Sequence, residues 1–293
     1  MRGSRGVSSY DALNFKFQTR DLHHTGLSLV ANYTWAHTLD DLSSTFDDSL
    51  QGLSSPAGFG NLGYTDFFNP KLDWGSSDYD IRNRFVVAPI WDTPWFKAGN
   101  RVASHALGGW SLVGIYTART GTPFSVFDED NIEIGYTNPR LTPATPITNY
   151  KVGSPQSVGP NVFNVMTLPL PASFAPLNPA LGISDLGPWP ANMTHRNAFR
   201  GPGAWNADMA AGKRFTVTER VGLEFRAEGF NVLNHHNFYV NPIDLLYSGP
   251  SSSGAYPTKP VSVTEEKGGL GALATGGNHD ERRFGQLSLR VSF

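Results

Sequence analysis

Two adjacent histidine pairs, His23-His24 and His235-His236, and three acidic clusters, Asp40-Asp41, Asp47-Asp48 and Asp128-Glu129-Asp130, are the side chains here whose types could hold a metal or move protons. A zinc site needs three or four imidazole, thiolate or carboxylate ligands converging on one point. Neighbouring residues of an extended chain point to opposite faces, so each histidine pair offers one imidazole to any one side. Neither pair has a carboxylate at ligand spacing beside it, and the chain has no cysteine. The acidic clusters lack the Asp-x-Asp-x-Asp-Gly order that builds a calcium loop and read as solvated loop charge. Residues 268–277 (GGLGALATGG) share only their glycine content with a phosphate loop and read as a flexible connection.

Acid–base chemistry fares no better. Glu224 and Glu228 would stand about 13 Å apart on an extended strand, too far for a glycosidase pair, and Arg226 lies between them. The three read instead as a charge ladder on one face of a strand. No nucleophile elbow is present. Trp74, Trp91, Trp95, Trp110, Trp189 and Trp205 could stack on sugars, although girdle or core positions account for most of them. No catalytic, cofactor or metal residue is assigned, and the chain is not read as an enzyme.

The elements that carry these residues alternate with period two. Seven segments do so: 8–19, 27–37, 80–91, 107–127, 204–215, 220–234 and 283–293. In the second, Leu27, Leu29, Ala31, Tyr33 and Trp35 share a face, with the aromatic pair at one end. In the fifth, Lys213 breaks an otherwise apolar face near its end, where it could snorkel to a headgroup. The sixth sets Val221, Leu223, Phe225 and Ala227 against Glu224, Arg226 and Glu228. The last places Leu287, Leu289, Val291 and Phe293 on one side and Gln286, Ser288, Arg290 and Ser292 on the other, the pattern of a barrel-closing strand. Segments 80–91 and 107–127 carry apolar residues of both parities, so their facing stays open, and Pro89 belongs at a bulge or strand end. Short connections (20–26, 92–106, 216–219) alternate with long ones (38–79, 128–203, 235–282), as in a membrane barrel with tight inner turns and long outer loops. That topology puts His24 and His235 on opposite sides of the membrane.

Composition agrees. Charged residues make up 16% of the 293, below the roughly 25% of soluble domains. Aromatics reach 12%, and 31 glycines and 21 prolines make the chain rich in turns. With 23 basic and 25 acidic residues there is no basic stripe for nucleic acid. Mean hydropathy is −0.29, and no run approaches the ~20 apolar residues of a membrane helix.

The blocks NYTWAHTLDD (32–41), DYDIRNRFVVAPIW (78–91), GGWSLVGIYTARTGTPF (108–124), GPG…KRFTVTERVGLEFRAEGFNVLNHHNF (201–238) and the terminal RRFGQLSLRVSF, in this order, resemble the C-terminal barrel of Oar-like TonB-dependent receptors. The resemblance implies an all-β, antiparallel transmembrane barrel segment with long outer loops, about seven strands of a barrel of about 22. It implies energised uptake or surface binding of an unidentified substrate. The partners would be outer-membrane lipid, the barrel assembly machinery and, through an N-terminal plug, the TonB complex, with localisation in the cell outer membrane. No signal peptide, plug or TonB-contacting box is recognisable, so 1–293 reads as the tail of a longer receptor. The alternatives are a secreted soluble β-sandwich that binds carbohydrate, a hydrolase using His236 and Asp128, and a small eight-stranded barrel whose missing strand would come from 161–168 (NVFNVMTL).

Overall fold

In the computed structural model, residues 6–43, 69–94, 108–125, 193–219, 221–235, 237–240 and 283–293 are described, together with Arg140 and the strands at 127–128, 156–159, 162–168, 246–247 and 259–265. Seven strands form one antiparallel meander in chain order: β1 (Ser8–Thr19), β2 (Leu27–Asp40), β3 (Asn83–Asp92), β4 (Trp110–Arg119), β5 (Ala204–Thr216), β6 (Gly222–Phe230) and β7 (Phe284–Ser292). A two-residue strand, Gly75–Ser76, extends the sheet beside the end of β2. The wall strands fall on the period-two segments, with shifted ends. β2 runs on to Asp40, β4 stops at Arg119, and β6 stops at Phe230, where Asn231 turns with a φ of 45°.

Connections at one end are short and held by their own backbone. Between β5 and β6, the N–H groups of Val217 and Thr218 donate to the Val221 carbonyl at 2.9 and 3.1 Å. Between β1 and β2, Gly26 adopts a φ of +77°, and a Cβ there would lie 2.1 Å from the Asp92 carbonyl oxygen. Only glycine meets both demands. The other end carries the long connections, and these are not simply irregular. Phe238–Val240, Lys259–Glu265, Val162–Leu168 and Gln156–Gly159 pair into a separate four-stranded antiparallel sheet. Val162–Leu168, the expected source of an eighth wall strand, belongs to this accessory sheet.

Register settles the facing that parity left open. Leu112 stands opposite Ala211 and Trp91, and Tyr116 opposite Ala207 and Val87. One apolar face therefore runs from Leu13, Phe15 and Phe17 on β1, through Leu29 and Ala31, Val87 and Pro89, Leu112 and Met209, to Phe225 and Leu289, interrupted on β5 by Lys213. The opposite face carries Asn14, Lys16, Asn32, Arg84, Thr117, Asp208, Arg214, Glu224 and Arg290. Its centre is apolar, with Val30, Val86, Ile90, Val113 and Ile115; these gave β3 and β4 their mixed parity. Pro89 is neither at a bulge nor at an end. It lies inside β3 opposite Leu29, and the ladder to β4 skips Ala88 and Pro89 without changing register. Gly114 leaves the room, since a Cβ on it would stand 3.3 Å from the proline ring.

The apolar face is not covered. Phe15 is 57% exposed, Met209 53% and Leu289 64%, while the buried apolar residues among those described are Ala36, Phe124, Phe199 and Ala207. A soluble sandwich would press two such faces together into a core. The sandwich expectation is thus overturned, because the apolar surface has nowhere to go but a non-aqueous solvent. Both outer edges of the sheet are unpaired among the described residues, and β1 and β7, six strands apart in the meander, run in the same direction.

Candidate functional site

The apolar face ends in two aromatic rows. At the end with long connections, Phe15 stacks on Tyr33 at 6.2 Å, Tyr33 is paired with Phe85, and Tyr116 lies 6.5 Å from Phe85 and 5.9 Å from Trp205. At the end with short turns, Trp110 meets Phe225 edge-on at 6.3 Å, and the Trp91 indole donates to the Thr25 carbonyl at 3.0 Å. On β5, Trp205 and Phe215 mark the two rows. Ten residues of strand span about 33 Å, or about 25 Å along the membrane normal at a tilt of about 40°. That is the height of the lipid band of an outer-membrane barrel. Lys213 does not reach out to a headgroup. It is buried, with its ammonium 5.6 Å from the Trp110 ring and 5.0 Å from Phe215, where the ring quadrupoles favour a cation.

The terminal strand places Leu287, Leu289 and Val291 opposite Ala227, Phe225 and Leu223 on the apolar face, with Phe293 fully exposed beyond them. On the polar face, Arg226 Nε donates to Glu228 Oε1 at 2.7 Å, and the Gln286 amide donates to the other Glu228 oxygen. Glu224 lies in register between Arg214 and Arg290. A shallow hollow opens beside these charges over Ser111, Val113, Ala210 and Gly212, where small side chains leave the wall thin.

The described histidines of the two pairs lie at opposite ends of the sheet. His23 and His24 sit in the β1–β2 turn with left-handed backbones, and His24 lies 3.4 Å from Asp21. His235, at the opposite end of the sheet, stacks on Trp205 at 3.7 Å. Among the described residues no group of three His, Cys, Asp or Glu could hold a metal. His236, Asp47, Asp48, Glu129, Asp130, Trp95, Trp189 and residues 268–277 lie outside the described residues, as does the side chain of Asp128.

Asp40 and Asp41 overturn their reading as solvated loop charge, for both are 6% exposed. They belong to a network at the rim with the long connections. Asp41 accepts the Val7 N–H at 2.9 Å, and Asp40 accepts from Ser43 and from Arg196, which also reaches Asp78 at 3.2 Å. Asp80, with no exposed surface, accepts the Thr38 N–H at 2.9 Å, Arg82 Nε at 3.0 Å and Arg200 Nη2 at 2.6 Å. His37 bridges the cluster. Arg82 donates to its Nε2 at 3.0 Å, and a guanidinium cannot accept, so the ring proton is on Nδ1, facing Asp80 at 3.3 Å. Burial would raise the Asp80 carboxyl, but the Thr38 amide, Arg200 and His37 outweigh it and hold the group below its ordinary value. Arg140 pairs with Asp73 and donates to the carbonyls of Leu72 at 2.6 Å and Thr194 at 2.8 Å; burial lowers it and Asp73 opposes the shift. Phe124 and Phe199 stack at 5.5 Å beneath.

The network fastens the β2–β3 connection to the β4–β5 connection over the rim. Of its residues the sequence singles out only Asp40 and Asp41, as an acidic pair, and none of the arginines. The available cue was the run DYDIRNR (78–84), where acids and arginines alternate just before a strand.

No helix among the described residues is long and apolar enough to cross a membrane. No curated protein and no solved structure matches the chain. Residues 1–260 match the family described as the outer membrane beta barrel domain, a span that includes six of the seven wall strands. With its lipid-facing surface, aromatic rows and polar inner face, the chain belongs to that family and is an outer-membrane β-barrel protein.

Proposed function

We propose that the chain is the C-terminal part of the barrel of an Oar-like TonB-dependent receptor, which takes up or binds a substrate at the cell surface and does so by binding and transport rather than catalysis. The observation that carries this reading is the parity of the sheet. Seven antiparallel strands leave β1 and β7 pointing the same way. An all-antiparallel wall then closes only through an odd number of further strands. Neither self-closure nor a ring of like-oriented copies supplies antiparallel neighbours to both edges. A receptor barrel of about 22 strands leaves about 15 to come from elsewhere, which is odd. In this reading Leu287, Leu289, Val291 and Phe293 form the lipid face of the closing strand engaged by the barrel assembly machinery. Glu224, Arg226 and Glu228 line the lumen as a charge ladder, and an N-terminal plug couples the barrel to the TonB complex.

The test is the size of the folded species. An antibody against the β7 sequence should detect, in outer-membrane fractions, a heat-modifiable band far larger than the 31.9 kDa of these residues, and crosslinking should attach it to TonB. A heat-modifiable barrel of 31.9 kDa with no TonB adduct would refute the proposal.

A further inference from the structure

The arginines near the rim divide into two sets. Arg82, Arg140, Arg196 and Arg200 each hold a carboxylate. Arg84 and Arg119 stand directly opposite each other on β3 and β4, both exposed on the polar face, and neither has a carboxylate within 4 Å among the described residues. Like charges in register across a strand pair repel and destabilise the sheet unless something neutralises them. Beside them, Thr117 points to the same face two residues before Arg119. Guanidinium N–H groups match the oxygens of a phosphate or carboxylate.

We propose that Arg84 and Arg119, beside Thr117, form an anion site on the lumen wall just below the outer mouth, for a ligand that presents an oxyanion. A phosphate, a phosphate monoester or a carboxylate meets this description. The inference rests on the inner face of the barrel wall and not on energised transport. A saturable site on the barrel could exist without TonB, and a TonB-dependent receptor could lack it, so the two readings fail separately.

Inorganic phosphate is the probe. Titrated by calorimetry into the whole protein extracted from outer membranes in detergent, at constant ionic strength, it should bind saturably at one site per chain. Arg84→Gln and Arg119→Gln should each weaken binding at least tenfold, Arg84→Lys should restore part of it, and Lys16→Gln, a lumen-face cation on β1, should leave it unchanged. Competition by citrate assigns the site to oxyanions generally, and phosphate binding without citrate competition assigns it to phosphoryl ligands. The proposal is overturned if phosphate does not saturate, if both glutamine variants bind as the parent does, or if Lys16→Gln weakens binding as much as they do, which would mark diffuse screening.

Discussion

Exchanging Met209 for arginine and, separately, its neighbour Ala210 for arginine places the same charge one residue apart on opposite faces of β5. Met209 is 53% exposed on the apolar face, four residues from Trp205 and six from Phe215, so it lies about 13 and 20 Å along the strand from the two aromatic rows. That is close to mid-depth in the lipid band, where an outward arginine costs about 2–4 kcal/mol. Each 1.4 kcal/mol is tenfold in an equilibrium constant, so Met209→Arg should lower the folded-to-unfolded ratio roughly thirty- to several-hundred-fold. Ala210 borders the hollow on the polar face and stands opposite Glu228. An arginine there gains room, water and a carboxylate, and should change stability by less than about 1 kcal/mol. The assay is reversible urea unfolding in lipid vesicles, read by tryptophan fluorescence, with surface-resolved heat modifiability in cells as a second measure. Equal losses for the two variants, or a greater loss for Ala210→Arg, would refute the assignment of faces and with it the membrane-spanning geometry.

Asp80→Asn removes the acceptor shared by Arg82 and Arg200; it should loosen the rim by about 3 kcal/mol and open the β4–β5 connection to trypsin on intact cells, with the wall still assembled. Unchanged protection would show that the network holds nothing. The Asp80 carboxyl is held below its ordinary value of 3.8, so its contribution is complete above that pH and is lost only as pH falls through the lower, folded value. Protease protection of the rim should therefore be flat from neutral pH to about pH 4 and decline only below it; a loss between pH 5 and 7 would point to another group. Gly26→Ala introduces both a clash with the Asp92 carbonyl and a strained φ, and should reduce assembled barrel measured as heat-shifted protein, by about 2 kcal/mol or more in vesicle unfolding. Parental yield and stability would mean that the turn is not held as described.

Much of the wall was legible in the residues themselves. A strand with lipid on one side and water on the other must alternate, so β1, β2, β5, β6 and β7 announce themselves through neighbours two apart, such as Leu223, Phe225 and Ala227 against Glu224, Arg226 and Glu228. β3 and β4 also showed as strands, but Val86, Ile90, Val113 and Ile115 gave them a second apolar parity. No local rule chooses between two apolar faces. The choice is made by register, when Leu112 is set opposite Ala211 on one side and Trp91 on the other.

A meander of amphipathic strands with short turns at one end and long connections at the other is written locally, because alternation and turn chemistry act between residues close along the chain. Which face β3 and β4 turn to the membrane, that the long connections carry a second sheet, and that Asp40, Asp73 and Asp80 are buried partners of arginines, with Asp78 a half-buried one, are set by contacts between distant segments. Asp40 and Arg196 meet across 156 residues. An aspartate reads the same in sequence whether water or a guanidinium neutralises it, and only the folded rim brings the guanidinium.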